Sequence, residues 1–568
     1  MSRVKILVFL AALPCCCPAL HSQQADLVLL HGTVLTVDAH DSVAQALAVR
    51  DSRIVVVGTD AQVMRLVGPA TKVIDLRGLT ATPGMIDTHS HYAEAGAEDL
   101  FHLKLESVTS IAEIVAAVQK RVAAAKPGDW IVGRGWDAGK LVEHRDPVAA
   151  DLDGVSPRNP VLLINASGHY ATLNTAALRL AGIDDATRNP ANGSIERDSA
   201  GHVTGLVKEG ALAPVRALVP AFTTEQIEQG ILKEVDDLHR VGVTAFKDTA
   251  TAAQWDALHR LNEQGKLDER VCMLWRAGFT VASGEQTLAN LQRASPTPRE
   301  YQHGRLAACG AKIFMDGTVM GRTAWSYDPW FTNGQVDAAN TGYPALDPMV
   351  YRQMVRIFHG AGITVGTHAI GDRAIDWVMD TYAEVEQEKP MPGLRHSIIH
   401  ANLPSAHAVT VMASLEKKYD AGYPEVQPVF LWWLGTSMAP SFGPERAVRA
   451  IPLKTFLDHG VRWSAGTDYG VAPMAPQYGL WASVERESLG GKHLFGLAQA
   501  VDVHTALRSY TSWAAPELFL EKEIGTLEAG KRADIAVWDR NPYTMPSPDL
   551  KDLRCVMTLM DGKVVYSR

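Results

Sequence analysis

The chain repeats one pattern of apolar and polar positions: an amphipathic helix, a short turn, and a brief apolar strand that stops at a polar residue. Within residues 224–239, apolar side chains recur every three or four positions, at Ile227, Ile231, Val235 and Leu238. This spacing predicts a helix with one buried face. The run 243–246 follows and predicts a strand ending near Asp248. Strands that alternate with helices indicate an α/β fold with a parallel sheet.

Three later copies of this unit end on residues that can bind a metal. These are a strand predicted at 363–367 before His368, a strand at 397–399 before His400, and a strand at 461–467 before Asp468. In a closed barrel of eight parallel strands, residues at the carboxyl ends of the strands converge on one face. We therefore expect these side chains to meet, although a single histidine is more often an ordinary buried or surface residue.

Two further histidines stand one residue apart after an earlier apolar stretch. His89 and His91 lie in the segment 82–91. In an extended strand their side chains point to the same side, because side chains alternate with period two. That geometry suits a metal chelate, whereas the plainer alternative is a chance pair of polar residues at a strand end. The other strand-end residues favour the chelate.

A lysine lies in an otherwise apolar run. Lys312 stands within residues 309–317, where burying a cation is costly. An ion pair with Asp316, or an aliphatic stem that reaches water, would be a structural explanation. The functional explanation is carboxylation, because a neutral lysine amine can take up carbon dioxide and form a carbamate whose two oxygens bridge two divalent metals.

Together these segments resemble the amidohydrolase superfamily, and more closely its amidohydrolase-3 branch, the YtcJ-like group that includes N-substituted formamide deformylases. The residues that carry the resemblance are 83–91, 312–317, 367–368, 398–400 and 466–468, with further matches at 133–137, 151–156, 167–169, 205–209, 321–324 and 525–534. They cover nearly the whole chain after its first residues. One departure is Ile399, where many relatives carry glutamate.

The resemblance implies a distorted TIM (β/α)8 barrel over residues 85–521. Residues 23–84 and 522–568 would fold together into a small composite β-sandwich. An insertion after the first barrel strand is expected within about residues 95–220, because the distance from His91 to Lys312 exceeds what three strand-helix units need. Ligands would lie on strands one, four, five, six and eight, with the seventh strand at 425–430.

The resemblance also implies the chemistry. His89, His91 and Asp468 would hold one metal and His368 and His400 the other, with carboxylated Lys312 bridging two Zn²⁺ ions, although a site with one metal stays open. Asp468 would be catalytic as well as a ligand. His169 and Arg322 are candidates for binding substrate. The predicted reaction is hydrolysis of a non-peptide carbon–nitrogen bond in a small amide, formamide or cyclic amide by a metal-activated hydroxide.

Two other functions fit the same residues. The metals would also serve an esterase, a lactonase or an isomerase. The non-enzymatic alternative is an exported binding protein that has lost catalysis. The complete set of ligand positions argues against this alternative.

Composition and charge narrow the function further. The chain has 568 residues, of which 46% are hydrophobic, enough for a large core and a smaller second domain. The net charge of −9 gives no support to nucleic-acid binding, for which a concentrated basic surface is typical. We expect a small-molecule substrate, and a homo-oligomer is compatible with the sequence.

The first 22 residues predict a signal peptide. A basic start, an apolar run at 6–13 and small residues at 19–22 are typical of one. The chain is therefore expected to be exported to the periplasm or outside the cell, without a transmembrane segment. Lipid attachment at Cys15 is less favoured, because the preceding residues make a poor lipobox. Cys272, Cys309 and Cys555 would remain after cleavage, and a disulfide scaffold is not expected.

Overall fold

The computed structural model describes residues 24–568 apart from residues 296, 298 and 333. The predicted signal peptide lies outside the described residues. Within them the chain forms the predicted α/β barrel, a sandwich built by both chain ends, and an inserted sheet. None of the helices in these residues is long and apolar enough to cross a membrane.

The amino-terminal part forms strands before the barrel begins. Its elements are β1 (Leu27–Leu30), β2 (Thr33–Leu35), β3 (Val43–Ala44), β4 (Ala46–Arg50), β5 (Arg53–Gly58), α1 (Asp60–Met64), β6 (Lys72–Asp75) and β7 (Thr80–Pro83). One sheet has the order β5, β4, β1, β6. Strand β1 is apolar throughout, and its alternate side chains pack into two cores, Leu27 and Leu29 into one and Val28 and Leu30 into the other.

The first barrel strand leads into an inserted sheet. The elements are β8 (Met85–Ser90), α2 (Tyr92–Phe101), β9 (Leu103–Lys104), α3 (Ile111–Ala124), β10 (Ile131–Trp136), α4 (Ala149–Asp153), β11 (Val161–Asn165), β12 (Tyr170–Leu173), α5 (Thr175–Leu180), β13 (Gly193–Arg197), β14 (Val203–Glu209) and α6 (Ala213–Arg216). Its order is β13, β14, β12, β11, β10, β9. The sheet falls within the predicted insertion and packs on a small core of its own that includes Leu162, Leu173 and Val207.

The remaining barrel units follow in regular alternation. They are α7 (Thr224–Arg240), β15 (Val243–Ala250), α8 (Ala252–Glu263), β16 (Arg270–Arg276), α9 (Val281–Ala294), β17 (Leu306–Phe314), β18 (Phe331–Thr332), β19 (Gln335–Val336), α10 (Pro348–Gly360), β20 (Thr364–Ala369), α11 (Asp372–Glu388), β21 (Ser397–His400), α12 (Ala406–Tyr419), β22 (Tyr423–Val426), α13 (Val429–Trp433), α14 (Gly435–Phe442), α15 (Pro444–Ala447), α16 (Leu453–Asp458), β23 (Ser464–Ala465), α17 (Pro476–Glu485) and α18 (Val503–Ser509).

Helix α7 shows how the pattern becomes structure. Thr223 caps its first turn by accepting a hydrogen bond from the N–H of Gln226. The four apolar residues predicted to share a face are all buried. The helix crosses α2 where Gly230 meets Gly96, and a Cβ added to Gly96 would lie 2.3 Å from the Gly230 carbonyl oxygen. This close approach fixes α2 beside the first barrel strand.

The eight parallel barrel strands pair in the order β8, β15, β16, β17, β20, β21, β22, β23. The gap between β23 and β8 is spanned by a hydrogen bond of 3.1 Å between the hydroxyls of Ser464 and Thr88. The N–H of Asp468 also donates to the carbonyl of His89 at 2.7 Å. The barrel is therefore nearly closed, with helices around it as parallel strands require.

Both chain ends contribute to one sheet. The last strands are β24 (Ile535–Trp538), β25 (Cys555–Met560) and β26 (Lys563–Ser567), and the sheet order is β26, β25, β24, β7, β2, β3. It shares a core with the amino-terminal sheet, in which Leu29 and Val49 from one end pack with Ile535 and Leu559 from the other. This is the predicted composite sandwich.

One expectation was wrong in detail. The seventh strand was expected at 425–430, but it spans Tyr423–Val426, and helix α13 starts immediately after Pro428. Pro428 is the N-cap of this helix and its backbone already has helical angles, φ −59° and ψ −29°, so the apolar run 429–433 continues as a helix. No pair among the three cysteines was predicted from the sequence. A disulfide joins Cys272 and Cys309 on the adjacent strands β16 and β17, while Cys555 is free and buried.

Candidate metal centre

The predicted ligands all lie at the carboxyl ends of barrel strands. They are His89 in β8, His91 directly after it, Lys312 in β17, His368 in β20, His400 at the end of β21, and Asp468 just beyond β23. All are buried except His91, which is partly exposed. The order of strands one, four, five, six and eight is the order that the sequence predicted.

Asp468 lies between the two histidines of the first strand. Its Oδ1 is 3.1 Å from Nε2 of His91 and 3.4 Å from Nε2 of His89. The other histidines are close as well, because the rings of His368 and His400 have centroids 4.5 Å apart, and those of His89 and His400 are 5.4 Å apart. Residues far apart in the chain therefore form one cluster.

These distances fit a divalent metal. Two ligand atoms that are each about 2.1 Å from zinc and separated by a tetrahedral angle are about 3.4 Å from each other. The separations between Asp468 and the two histidines match this value. His89, His400 and Asp468 also offer ligand atoms that all lie within 4.8 Å of one another. Imidazole and carboxylate donors in this arrangement suit a divalent ion.

Hydrogen bonds outside the cluster hold the rings in place. Nδ1 of His400 lies 2.7 Å from Oε1 of Gln427, and Nε2 of His368 lies 2.9 Å from the carbonyl oxygen of Gly317. Each of these nitrogens donates, so the opposite ring nitrogen keeps its lone pair. His91 is held by the hydroxyl of Thr249, 2.9 Å from its Nδ1. Orienting bonds of this kind accompany metal-binding histidines.

Lys312 forms no ion pair among the described residues, and its Nζ lies 4.8 Å from the centre of the Phe314 ring. Its Nζ is buried and has no hydrogen-bond partner among the described residues. Burial, together with the positive charges of neighbouring Arg276 and Lys247, lowers the pKa of Lys312 to about 7. Asp316 is not its ion-pair partner, because Asp316 instead accepts hydrogen bonds from the backbone N–H groups of residues 325, 370 and 371.

Asp468 stays ionised although it is buried. Burial would raise its pKa, but contact with His91 and the nearby positive groups outweigh that effect and lower it. Its backbone adopts a left-handed conformation, with φ of 55°. Gly466 permits the close approach, since a Cβ there would lie 2.6 Å from the backbone nitrogen of His89.

Asp87 is a functional residue that the sequence reasoning missed. Its carboxylate accepts hydrogen bonds from the N–H of Thr467, 2.9 Å away, the N–H of His89, 3.1 Å away, and the hydroxyl of Tyr92, 2.8 Å away. It thus ties the first barrel strand to the turn that carries Asp468. Its position two residues before His89 was the available signal, because side chains two apart share one side of a strand.

His169 reaches the cluster from the inserted sheet, whereas Arg322 does not. The ring centroid of His169 lies 5.0 Å from that of His368, and its Nδ1 is 3.0 Å from Glu209. Burial would lower the pKa of His169, but Glu209 outweighs it and raises the pKa. Arg322 lines neither of the two cavities described next, while its neighbour Thr323 donates a hydrogen bond of 2.5 Å to Glu209.

Two adjoining cavities open at this face. The smaller, about 30 Å³, is lined by His368, His400 and Asp468. The larger, about 310 Å³, begins at His91 and runs outward between barrel and inserted sheet. Ser167, His169 and Val471 line both, so the two are continuous there.

Five charged residues on the wall of the larger cavity were not foreseen. They are Glu94, Glu98, Arg134, Arg216 and Arg276. Glu94 pairs with Arg276 and Glu98 with Arg134. The sequence could have predicted part of this cluster, because Glu94 and Glu98 follow His91 at helical spacing. The arginines come from β10, α6 and β16, and only the fold brings them together.

Comparison with known proteins gives a consistent result. The model of the family described as "Amidohydrolase family" matches residues 72–566. The chain is 29% identical to the N-substituted formamide deformylase of Arthrobacter pascens, over 96% of this chain and 99% of that protein. It is 27% identical to the putative amidohydrolase YtcJ of Bacillus subtilis, over 88% and 91%.

The fold has a counterpart among solved structures. An uncharacterized metal-dependent hydrolase from Pyrococcus horikoshii has a TM-score of 0.71 and 24% identity, covering 92% of this chain and 99% of that one. The family match covers the barrel, the inserted sheet and every predicted ligand, and it confirms the resemblance seen in the sequence. The chain belongs to the amidohydrolase family.

Proposed function

We propose that this protein hydrolyses a non-peptide carbon–nitrogen bond in a small amide or formamide. The observation that carries the proposal is the buried Lys312 amine, which has no hydrogen-bond partner yet lies among four histidines and a carboxylate. A structural lysine would have a counterion. A lysine prepared for carboxylation needs a neutral amine, and the lowered pKa provides one.

The residues divide into two ligand groups. His89, His91 and Asp468 would hold one ion, and His368 and His400 the other, with carboxylated Lys312 shared between them. Zinc suits these nitrogen and oxygen donors. When bound, such metals lower the pKa of water and polarise a carbonyl group.

Asp468 would move the proton that amide hydrolysis requires. It is ionised, and it lines the smaller cavity into which a scissile bond would fit. Its carboxylate would accept the proton of the attacking water at one oxygen and release that proton to the leaving nitrogen. An amine is a poor leaving group unless it is protonated, so this transfer completes the reaction.

His169 would orient the substrate carbonyl. It lines both cavities and is held by Glu209, which raises its pKa and favours the protonated ring. A protonated imidazole can donate a hydrogen bond to a carbonyl oxygen as negative charge develops there. The similarity to an N-substituted formamide deformylase supports an amide or formamide as the substrate class.

The first test is metal content. We expect about two metal ions per chain in protein purified with bicarbonate and without chelator, and a clear loss in Lys312→Ala. The exposed Lys120 on α3 offers a matched control, Lys120→Ala, which should keep both ions. One ion per chain in both the parent and Lys312→Ala would instead favour a mononuclear site.

The second test concerns the bond. N-benzylformamide and benzyl formate differ only in nitrogen against oxygen at the scissile position. Faster release of benzylamine than of benzyl alcohol, relative to the uncatalysed rates, is expected. The reverse order would support the esterase, and no turnover of either or of related amides by metal-loaded protein would support a binding protein.

Export is part of the same proposal. The predicted signal peptide supports it, and so does the Cys272–Cys309 disulfide, since such bonds persist in oxidising compartments. Amino-terminal sequencing of the protein from a periplasmic extract checks it. A chain that retains residues 1–22 and stays in the cytoplasmic fraction would contradict it.

A further inference from the structure

Arg216, on the wall of the larger cavity, forms no ion pair among the described residues. Arg216, in the short helix α6, is exposed at the cavity, and the hydrogen bond described for its side chain goes to the carbonyl oxygen of Gly168, 2.7 Å away. In the described part of the chain, no carboxylate lies within ion-pair distance of it. Most of the five N–H groups of its guanidinium are therefore available to a ligand.

The carboxylates on the same wall are already satisfied. Glu94 is paired with Arg276, and Glu98 with Arg134. Glu209 lies 3.0 Å from His169. Asp316 accepts its three backbone hydrogen bonds. A cationic ligand would have to displace one of these partners, whereas an anionic ligand would displace none.

Arg276 is a second arginine on this wall with an unused N–H group. It ends barrel strand β16, and although one end of its guanidinium pairs with Glu94, its buried Nε has no hydrogen-bond partner among the described residues. Arg216 and Arg276 line the same cavity, which begins at His91. Two arginines with unused N–H groups form the kind of site that binds a carboxylate.

The apolar residues on the wall of the larger cavity indicate what else the ligand carries. Phe279, Phe314, Ile164 and Leu212 line the cavity between the charged groups. An apolar substituent would pack against them while a carboxylate reached the arginines. The scissile bond would enter the smaller cavity beside Asp468.

We propose that the larger cavity is a substrate subsite in which Arg216 and Arg276 bind a carboxylate, so that the preferred substrate is an amide whose amine part carries a carboxylate and an apolar group. This inference rests on the proposed function for its substrate but on separate residues for its recognition. The two can therefore fail separately.

The test uses matched formamides. N-formylphenylalanine carries a carboxylate, N-formylphenethylamine lacks it, N-formylphenylalaninamide replaces it with a neutral group, and N-formylputrescine is cationic. We expect kcat/KM for N-formylphenylalanine, in its preferred enantiomer, to exceed that of both neutral compounds by about 10-fold or more, as a charged hydrogen bond provides. Equal values, or a preference for the cationic compound, would overturn the proposal.

Variants of Arg216 test whether this residue causes the preference for a carboxylate. Arg216→Met should lower the ratio of kcat/KM between N-formylphenylalanine and N-formylphenethylamine by about 10-fold, mainly through KM for the carboxylate compound. Arg216→Lys should restore part of the ratio, since lysine keeps the charge but loses the planar fork. Arg179→Met, at an exposed arginine of α5 that lines neither cavity, is the matched control.

The outcomes separate the two proposals. If the neutral formamides are turned over without a carboxylate preference, the subsite proposal fails and the proposed function stands. If neither the formamides nor related amides are turned over, the proposed function fails, and calorimetric binding of N-formylphenylalanine against N-formylphenethylamine still tests the subsite. Equal dissociation constants for the two compounds would then overturn it.

Discussion

Two buried clusters in this protein contain the residue types that bind metals, but only one has the electron pairs to do so. In the described residues, ligand atoms within 4.8 Å of one another occur at His89, His400 and Asp468 and again in a second cluster, His359, Glu386 and His396. The second cluster lies behind the other end of the barrel, where α10 and α11 end and β21 begins.

The second cluster is closed by its own hydrogen bonds. Nδ1 of His396 accepts from the N–H of Val365 at 3.0 Å, so the proton of His396 is on Nε2. That nitrogen lies 2.9 Å from Nδ1 of His359, and Nε2 of His359 lies 2.7 Å from the carbonyl oxygen of Lys389. Both lone pairs are thus used. Only Oε1 of Glu386 is without a partner, and one oxygen does not make a metal site.

The comparison shows that residue type and proximity do not define a metal site. At the carboxyl ends of the strands, hydrogen bonds hold one nitrogen of His368 and one of His400 and leave the other free. At the opposite end the same kind of bonds use every ring nitrogen. The first arrangement is suited to chemistry and the second to stability.

The largest expected difference between the clusters is in catalysis. Asp468→Asn keeps the shape of the side chain but removes the proton acceptor, so we expect kcat to fall by about 10²- to 10⁴-fold. Glu386→Gln makes the same change in the second cluster and should leave kcat within about 2-fold, since no proposed step involves it. Steady-state kinetics with N-benzylformamide measures both, and equal effects would remove the distinction.

Metal binding gives the next sharpest contrast. His400→Ala should lose roughly one metal ion per chain, because it removes a ring nitrogen that is free to bind. His359→Gln should retain the full complement. Inductively coupled plasma mass spectrometry measures the metal content of both variants. A lower metal content in His359→Gln than in the parent would mean that the second cluster binds an ion.

The free energy of unfolding should depend on the second cluster, whose hydrogen bonds are buried. His396→Phe leaves the N–H of Val365 and Nδ1 of His359 unpaired in the interior, which should lower the free energy of unfolding by about 1–3 kcal/mol. His407→Phe breaks an exposed contact with Asp380 and should cost less than about 1 kcal/mol. Urea unfolding of the metal-loaded proteins compares them. A smaller loss in His396→Phe than in His407→Phe would contradict the structural role.

The last effect is a pH dependence of stability, which between pH 6.5 and pH 5 amounts to at most about 2 kcal/mol. Burial, with neighbouring His359 and Arg299, lowers the pKa of His396 to about 3 from its ordinary value of 6.5. The unfolded chain therefore binds a proton there that the folded chain does not. The contribution of His396 is complete above pH 6.5 and is lost as the pH falls from 6.5 towards 3, by at most about 1.4 kcal/mol per pH unit.

His396→Gln removes this proton and should flatten the dependence in that range. Unfolding free energies of the variant and the parent between pH 6.5 and pH 5 provide the measurement. Parallel curves would show that His396 titrates alike in the folded and unfolded chains.

The sequence by itself predicted most of the elements and named the candidate ligands. Apolar spacing at Ile227 to Leu238 predicted α7, and strands ending on His368, His400 and Asp468 placed these residues at one face, because parallel strands align their carboxyl ends. The local pattern was misleading in the seventh strand, where the apolar run after Pro428 forms a helix instead of extending the strand.

Only the tertiary structure decided which groups are free. Whether a histidine has an open lone pair depends on its partners, and Gln427 and Gly317 in one cluster, like Val365 in the other, are placed by strand packing. The arginines of the larger cavity come from three elements far apart in the chain, and Asp87 became a link between strands one and eight only when the barrel closed. Sequence patterns report local periodicity, whereas hydrogen-bond satisfaction and charge pairing are set by distances that exist only after folding.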